Sequence, residues 1–123
     1  MNILVVDDDP IVLASCRRVL EAEGYDVVTV ASVGEALEAV AQREYGLMLI
    51  DVKMPERDGF QLMAKMTEWR LRVPIIVMSG YTTSETVLAS LQGGAFAFIP
   101  KPFTPEELLA SVRVAVSAEH QGG

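Results

Sequence analysis

The chain is short of cysteine, histidine, aromatic residues and positive charge, and each shortage removes a class of function. Its one cysteine in 123 residues, Cys16, rules out an internal disulfide. Cys16 falls on an apolar helical stripe and reads as a reduced core thiol, the usual state of a free cysteine. The one histidine, His120, has no neighbouring ligand, so no metal role is expected of it. Ten Lys and Arg against seventeen Asp and Glu leave a net charge of −7. That balance argues against direct contact with nucleic acid, which needs clustered cations on the phosphates. It suits a divalent cation or a basic protein partner. Aromatics are 7% of the chain, so its core must be mainly aliphatic. No run approaches the roughly 18 apolar residues of a membrane span, and no basic segment with a cleavage site is present. The expectation is a cytoplasmic domain with no membrane contact.

What is present is a regular alternation. Half the residues are hydrophobic, enough for one core in one domain. That domain is expected over residues 1–118, with 119–123 as a tail or truncated linker. Five short apolar runs, at 3–6, 27–30, 47–50, 75–78 and 96–99, have strand length and are mostly β-branched or aromatic. Four are nearly continuous, as in strands covered on both faces. The second, Val27-Val28-Thr29-Val30, reads as an edge strand. Helical stripes fill the gaps: Val12, Leu13, Cys16, Val19 and Leu20; then Val33, Ala36, Leu37 and Val40; then Leu62, Met63, Met66 and Trp69. Val87, Leu88 and Leu91 form a weaker fourth, and Leu108, Leu109, Val112, Ala115 and Val116 a fifth. Asp9-Pro10 and Thr104-Pro105-Glu106-Glu107 read as helix starts. Gly24 and Gly93-Gly94 read as stops. Five βα units with short connections make a parallel sheet with helices on both faces.

Chemistry gathers at the strand ends. Asp7, Asp8 and Asp9 follow the first run, Asp51 closes the third, Ser79 the fourth, and Lys101 follows the fifth. Each has a plain structural explanation, as a cap, a turn residue or a loop lysine. Their shared position at the carboxyl edge, where open α/β sheets bind ligands, is harder to explain that way. Carboxylates gathered there repel unless a hard cation joins them. A magnesium site beside a reactive aspartate is the leading expectation.

The segments Val5-Val6-Asp7-Asp8-Asp9, Asp51-Val52-Lys53-Met54-Pro55 with Asp58-Gly59, Met78-Ser79-Gly80, Gly94-Ala95 and Lys101-Pro102-Phe103 resemble the signature of bacterial response-regulator receiver domains. The likeness runs from Ile3 to about Val116. It implies a flavodoxin-like (βα)5 α/β fold with strand order 2-1-3-4-5. It implies Asp51 as phosphoacceptor, and Mg²⁺ held by Asp7, Asp8, Asp51 and the backbone carbonyl of Lys53. Ser79 and Lys101 would contact phosphoryl oxygens, Ser79 and Phe98 would form the switch, and Lys101-Pro102 would be a cis peptide. Asp9 is left as a cap. The implied donor is a sensor histidine kinase or phosphotransfer protein, with read-out through the fourth helix, fifth strand and fifth helix to an effector domain or protein.

The chain departs from the family pattern in places. Phe98 lacks the hydroxyl many members carry there. Pro100 stands where an apolar strand residue is usual. Tyr81 to Gln92 contains one charged residue, Glu85, and Gly94 to Ile99 none, so an ionic dimer across that face is not expected. The expected state is a monomer or a weak phosphorylation-dependent dimer. Lys53 and Tyr81, two residues beyond Asp51 and Ser79, are bulky enough to hinder hydrolysis of an acyl phosphate. Met48, Met63, Met66 and Met78 read as core fillers. The alternative is a small aspartate-nucleophile phosphatase of the haloacid-dehalogenase kind, through Asp7 and Asp9. It lacks the usual continuation, having Pro10-Ile11, and its late acids, Glu106 and Glu107, fall in a helix start. A flavin module fits less well, since three aspartates repel a phosphate.

Overall fold

Strands and helices alternate along the described residues: β1 (Asn2–Val6), α1 (Pro10–Ala22), β2 (Asp26–Val30), α2 (Val33–Gln42), β3 (Leu47–Asp51), α3 (Gly59–Glu68), β4 (Ile75–Ser79), α4 (Ser84–Gln92), β5 (Ala97–Pro100) and α5 (Pro105–Gly122). The structure, a computed structural model, describes residues 1–53 and 58–122, with side chains as far as 118. Met54 and Pro55 of the expected motif, and the side chain of His120, lie outside the described residues. All strand pairs are parallel, in the order β2-β1-β3-β4-β5. This is the flavodoxin-like order, with β2 at an edge as its polar pattern suggested.

The period of two along each strand divides the core. Leu4, Val6, Met48, Ile50 and Val77 point to the face covered by α2 and α3. Ile3, Val5, Leu49, Ile76 and Met78 point to the face covered by α1 and α5. Met48, Met63, Met66 and Met78 are buried. The stripes of α1, α2 and α5 lie against the sheet as the sequence implies.

Three expectations shift. The weak stripe of α4 does not face inward: Leu88 is 56% and Leu91 49% exposed, while Ser90 is buried. Ser90 can be buried because its hydroxyl donates to the Thr86 carbonyl at 2.8 Å. Trp69 caps α3 and is 44% exposed instead of completing its stripe. The fifth strand begins at Ala97, with Phe96 outside it, and extends to Pro100. Pro100 is tolerable there because β5 is an edge strand. At the chain's end α5 runs from Pro105 to Gly122. Nothing between Ala118 and Gly122 breaks a helix, since Glu, His and Gln carry only small propensity penalties.

Candidate functional site

Register brings the first two acidic segments together. Val6 pairs with Ile50, so Asp7 and Asp51 stand side by side one residue further along. Both are buried, while Asp8 is exposed. One carboxylate oxygen from each of Asp7, Asp8 and Asp51 lies within 4.8 Å of the others, close enough to share one cation. Asp9 takes no part. Its carboxylate accepts from the Ile11 N–H at 2.9 Å and caps α1, and Pro10 opens the helix.

Lys101 reaches into this cluster. Its Nζ donates to Asp7 Oδ2 at 2.6 Å and to Asp51 Oδ2 at 3.1 Å. The Lys101 backbone N–H donates to the Ser79 carbonyl at 2.8 Å, fixing the loop after β5 to the end of β4. The Lys101–Pro102 peptide is cis. The remaining Asp oxygens are held locally: Asp7 Oδ1 accepts from the Asp9 N–H at 2.9 Å and Asp51 Oδ1 from the Lys53 N–H at 3.0 Å.

Electrostatics follow from the burial. Desolvation pushes the Asp7 carboxyl above its ordinary value, outweighing the Lys101 and Asp9 hydrogen bonds, and the Asp51 charge adds to the rise. Burial alone would pull the Lys101 ammonium down. Its hydrogen bond to Asp7 and the charges of Asp7 and Asp51 outweigh that and hold it above its ordinary value. The buried Cys16 thiol is pushed up to about 11, first by desolvation and then by the Asp7 charge, so it is no nucleophile.

The other expected residues, Ser79 and Phe98, lie on β4 and β5. Ser79 is buried, and its Oγ accepts from the Tyr81 N–H at 2.9 Å, which leaves its own proton free to donate elsewhere. Phe98 pairs with Val77 across the β4–β5 ladder and is half-buried against the α2–α3 side of the core. Two features were not anticipated from sequence. Lys53 and Tyr81 meet each other, with Lys53 Nζ 5.3 Å from the Tyr81 ring centroid. Gly59, at the start of α3, is required by close approach: a Cβ there would lie 2.6 Å from the Asp51 carbonyl oxygen and 2.6 Å from Ile50 Cγ2. Asp58-Gly59 was legible only as part of the family signature, and the contact of Gly59 with the end of β3 was not.

A parallel sheet in this order, with three carboxylates and a lysine at its carboxyl edge, defines an α/β domain of the kind that binds a cation beside an acidic side chain. The chain belongs to the response regulator receiver domain family, whose model matches residues 3–113. It is a receiver domain of two-component signal transduction. It is 34% identical over 114 residues to the transcriptional regulatory protein KdpE of Mycobacterium tuberculosis, covering 93% of this chain and 50% of that protein. The chain thus spans about half the length of the curated relatives it matches. A CheY-like receiver domain protein from Methanospirillum hungatei superposes with a TM-score of 0.93 at 35% identity, over 99% of this chain and 98% of that one. Response regulator TrrA from Thermotoga maritima, solved in complex with Mg²⁺-BeF, superposes at 0.82 with 28% identity, over 93% of this chain and 97% of that one. Among the described residues no helix is long and apolar enough to cross a membrane.

Proposed function

We propose that this domain is a phosphorylation-dependent switch that accepts a phosphoryl group on Asp51. The observation that carries the reading is the Lys101 ammonium bridging Asp7 and Asp51 beside the three-carboxylate cluster. An Asp51 carboxylate oxygen attacks phosphorus and forms a C–O–P bond. The N–P bond of a donor phosphohistidine breaks, and its electron pair leaves with the imidazole. Such a transfer depends mainly on positioning and on charge stabilisation. Lys101 is already held at the Asp51 carboxylate, where negative charge on the incoming group needs an opposing cation. Ser79, whose hydroxyl oxygen accepts from the Tyr81 N–H, donates its own proton to another phosphoryl oxygen.

The carboxylate set fits Mg²⁺, offering hard oxygens from Asp7, Asp8 and Asp51, and the Lys53 carbonyl is the further ligand that the family resemblance implies. When bound, that ion supplies positive charge that offsets repulsion between the carboxylate and the phosphoryl oxygens. The related TrrA structure, which carries Mg²⁺-BeF, supports Mg²⁺ as the ion of such a domain. The phosphatase alternative is disfavoured because Asp9 is engaged as the cap of α1, and the Glu107 carboxylate accepts from the Thr104 N–H at 3.0 Å. The domain catalyses only its own phosphorylation and dephosphorylation.

Signalling then runs from Ser79, drawn toward the phosphoryl group, to Phe98, which turns further inward into the space vacated beneath the β4–α4 loop. The output surface comprises α4, β5 and α5 and meets an effector domain or protein. The donor is a sensor histidine kinase or phosphotransfer protein in the cytoplasm. Ile11, 75% exposed beside the cluster, offers the donor protein an apolar contact. The test is intact-mass measurement after incubation with Mg²⁺ and acetyl phosphate. A gain of one phosphoryl mass by the parent and none by Asp51→Asn is expected. Equal labelling of both proteins would refute Asp51 as acceptor.

A further inference from the structure

At the sheet edge opposite the acidic cluster, the connections α2–β3 and α3–β4 enclose an open cleft of about 590 Å³. Its lining includes Arg43, Arg70 and Arg72, three of only ten Lys and Arg in a chain of net charge −7. All three are exposed. None lies within ion-pair distance of a carboxylate among the described residues, although Glu44 lines the same cleft. Arg43 instead lies over the Tyr45 ring, 5.7 Å from its centroid. The half-buried Leu71 and Val73 form an apolar floor that belongs to the core.

The backbone gives a second indication. Arg70 has φ of 59°, in the left-handed region. It follows the α3 cap, where the Arg70 N–H donates to the Thr67 carbonyl at 3.0 Å and the Leu71 N–H to the Met66 carbonyl at 2.9 Å. Glycine fills such a helix stop at least cost. Helix termination therefore does not select arginine here. A cation at a helix C-terminus is favourable, but one at each of the two helix ends would meet that need. Three are present.

We propose that this cleft docks an acidic, apolar-interspersed polypeptide segment of a partner protein. Guanidinium groups pair bidentately with carboxylates, and the floor takes intervening apolar side chains. The cleft lies at the far end of the strands from Asp51, so the proposal does not depend on the acceptor chemistry.

The experiment is fluorescence anisotropy of a labelled, capped twelve-residue peptide alternating glutamate and leucine, titrated with the whole chain. Saturable binding that weakens with salt is expected. Arg70→Gly combined with Arg72→Ala leaves the backbone at position 70 relaxed and should weaken binding about tenfold or more. Arg113→Ala, an exposed arginine on α5, should not change it. The proposal is overturned if no binding is seen, if the glutamine counterpart binds equally, or if the double variant binds like the parent. Polyphosphate or an oligonucleotide of equal charge binding as tightly as the peptide would also overturn it, by making the cleft a general anion site.

Discussion

At the scale of single residues, Lys101 is what lets Asp7 and Asp51 be buried side by side. Its ammonium does not fully compensate Asp7, whose carboxyl stays above its ordinary value because burial dominates. The folded protein therefore holds the Asp7 proton more tightly than the unfolded chain does. Without metal, stability should fall as pH rises from 3.8 through the raised value. Asp7→Asn removes that penalty and keeps an oxygen for Lys101 to donate to. It should melt a few degrees above the parent at pH 7 without Mg²⁺, and the gap should close as pH falls below 3.8. Millimolar Mg²⁺ should raise the melting temperature of the parent and much less that of the variant, since it binds only the folded site. Calorimetry in both conditions checks this. The contact between Lys53 and Tyr81 concerns lifetime. Once Asp51 is phosphorylated, the pair should screen the acyl phosphate from water. The combined variant Lys53→Ala, Tyr81→Ala should shorten its half-life severalfold, measured by loss of the phosphoryl mass; an equal or longer half-life would dismiss the screen.

At the scale of elements, the end of β3 and the start of α3 are fitted to each other. The Gly59 N–H donates to the Val52 carbonyl at 3.1 Å, and there is no room for a side chain between them. The obstruction is backbone and a β-branched side chain, neither of which can swing aside. Gly59→Ala should destabilise the domain by about 1–3 kcal/mol, as overpacking does, and slow phosphorylation by displacing Asp51. Urea unfolding together with the phosphorylation rate checks both. A variant as stable as the parent would mean that α3 can shift without cost. Helix α4 is the opposite case. It buries Ser90 and turns Leu88 and Leu91 outward, so it is held to the sheet by little apolar area.

At the scale of the molecule, four of the eight large hydrophobic residues exposed among the described residues lie on one side. Tyr81, Leu88, Leu91 and Phe96 are all between 43% and 59% exposed around α4 and the start of β5, where Glu85 is the one charged residue from Tyr81 to Ile99. A contact made there must be apolar. Self-association induced by a beryllofluoride mimic should therefore persist in about 0.5 M salt, where exposed ion pairs are screened, and Leu88→Ser should abolish it. Sedimentation velocity distinguishes the outcomes: a dimer that disperses in salt would reverse the assignment.

The sequence by itself determined the alternation of strands and helices, because period-two and period-3.6 patterns and the capping pairs at Asp9-Pro10 and Thr104-Pro105 are local signals. It also determined which residues stand at strand ends, and so the acids, the serine and the lysine that could meet. Only the tertiary structure decided how they meet. That Lys101 bridges two carboxylates and that Lys53 lies over Tyr81 depend on register and on the approach of segments far apart in the chain, and that Gly59 is pressed against Asp51 depends on how α3 packs back on the end of β3. The facing of α4 was decided the same way. Its stripe is too weak to fix a rotation, and the helix settled by burying a serine that bonds to its own backbone. The arginine cleft belongs to this second group as well, since Arg43 and Arg70 are brought together only by the pairing of β3 with β4.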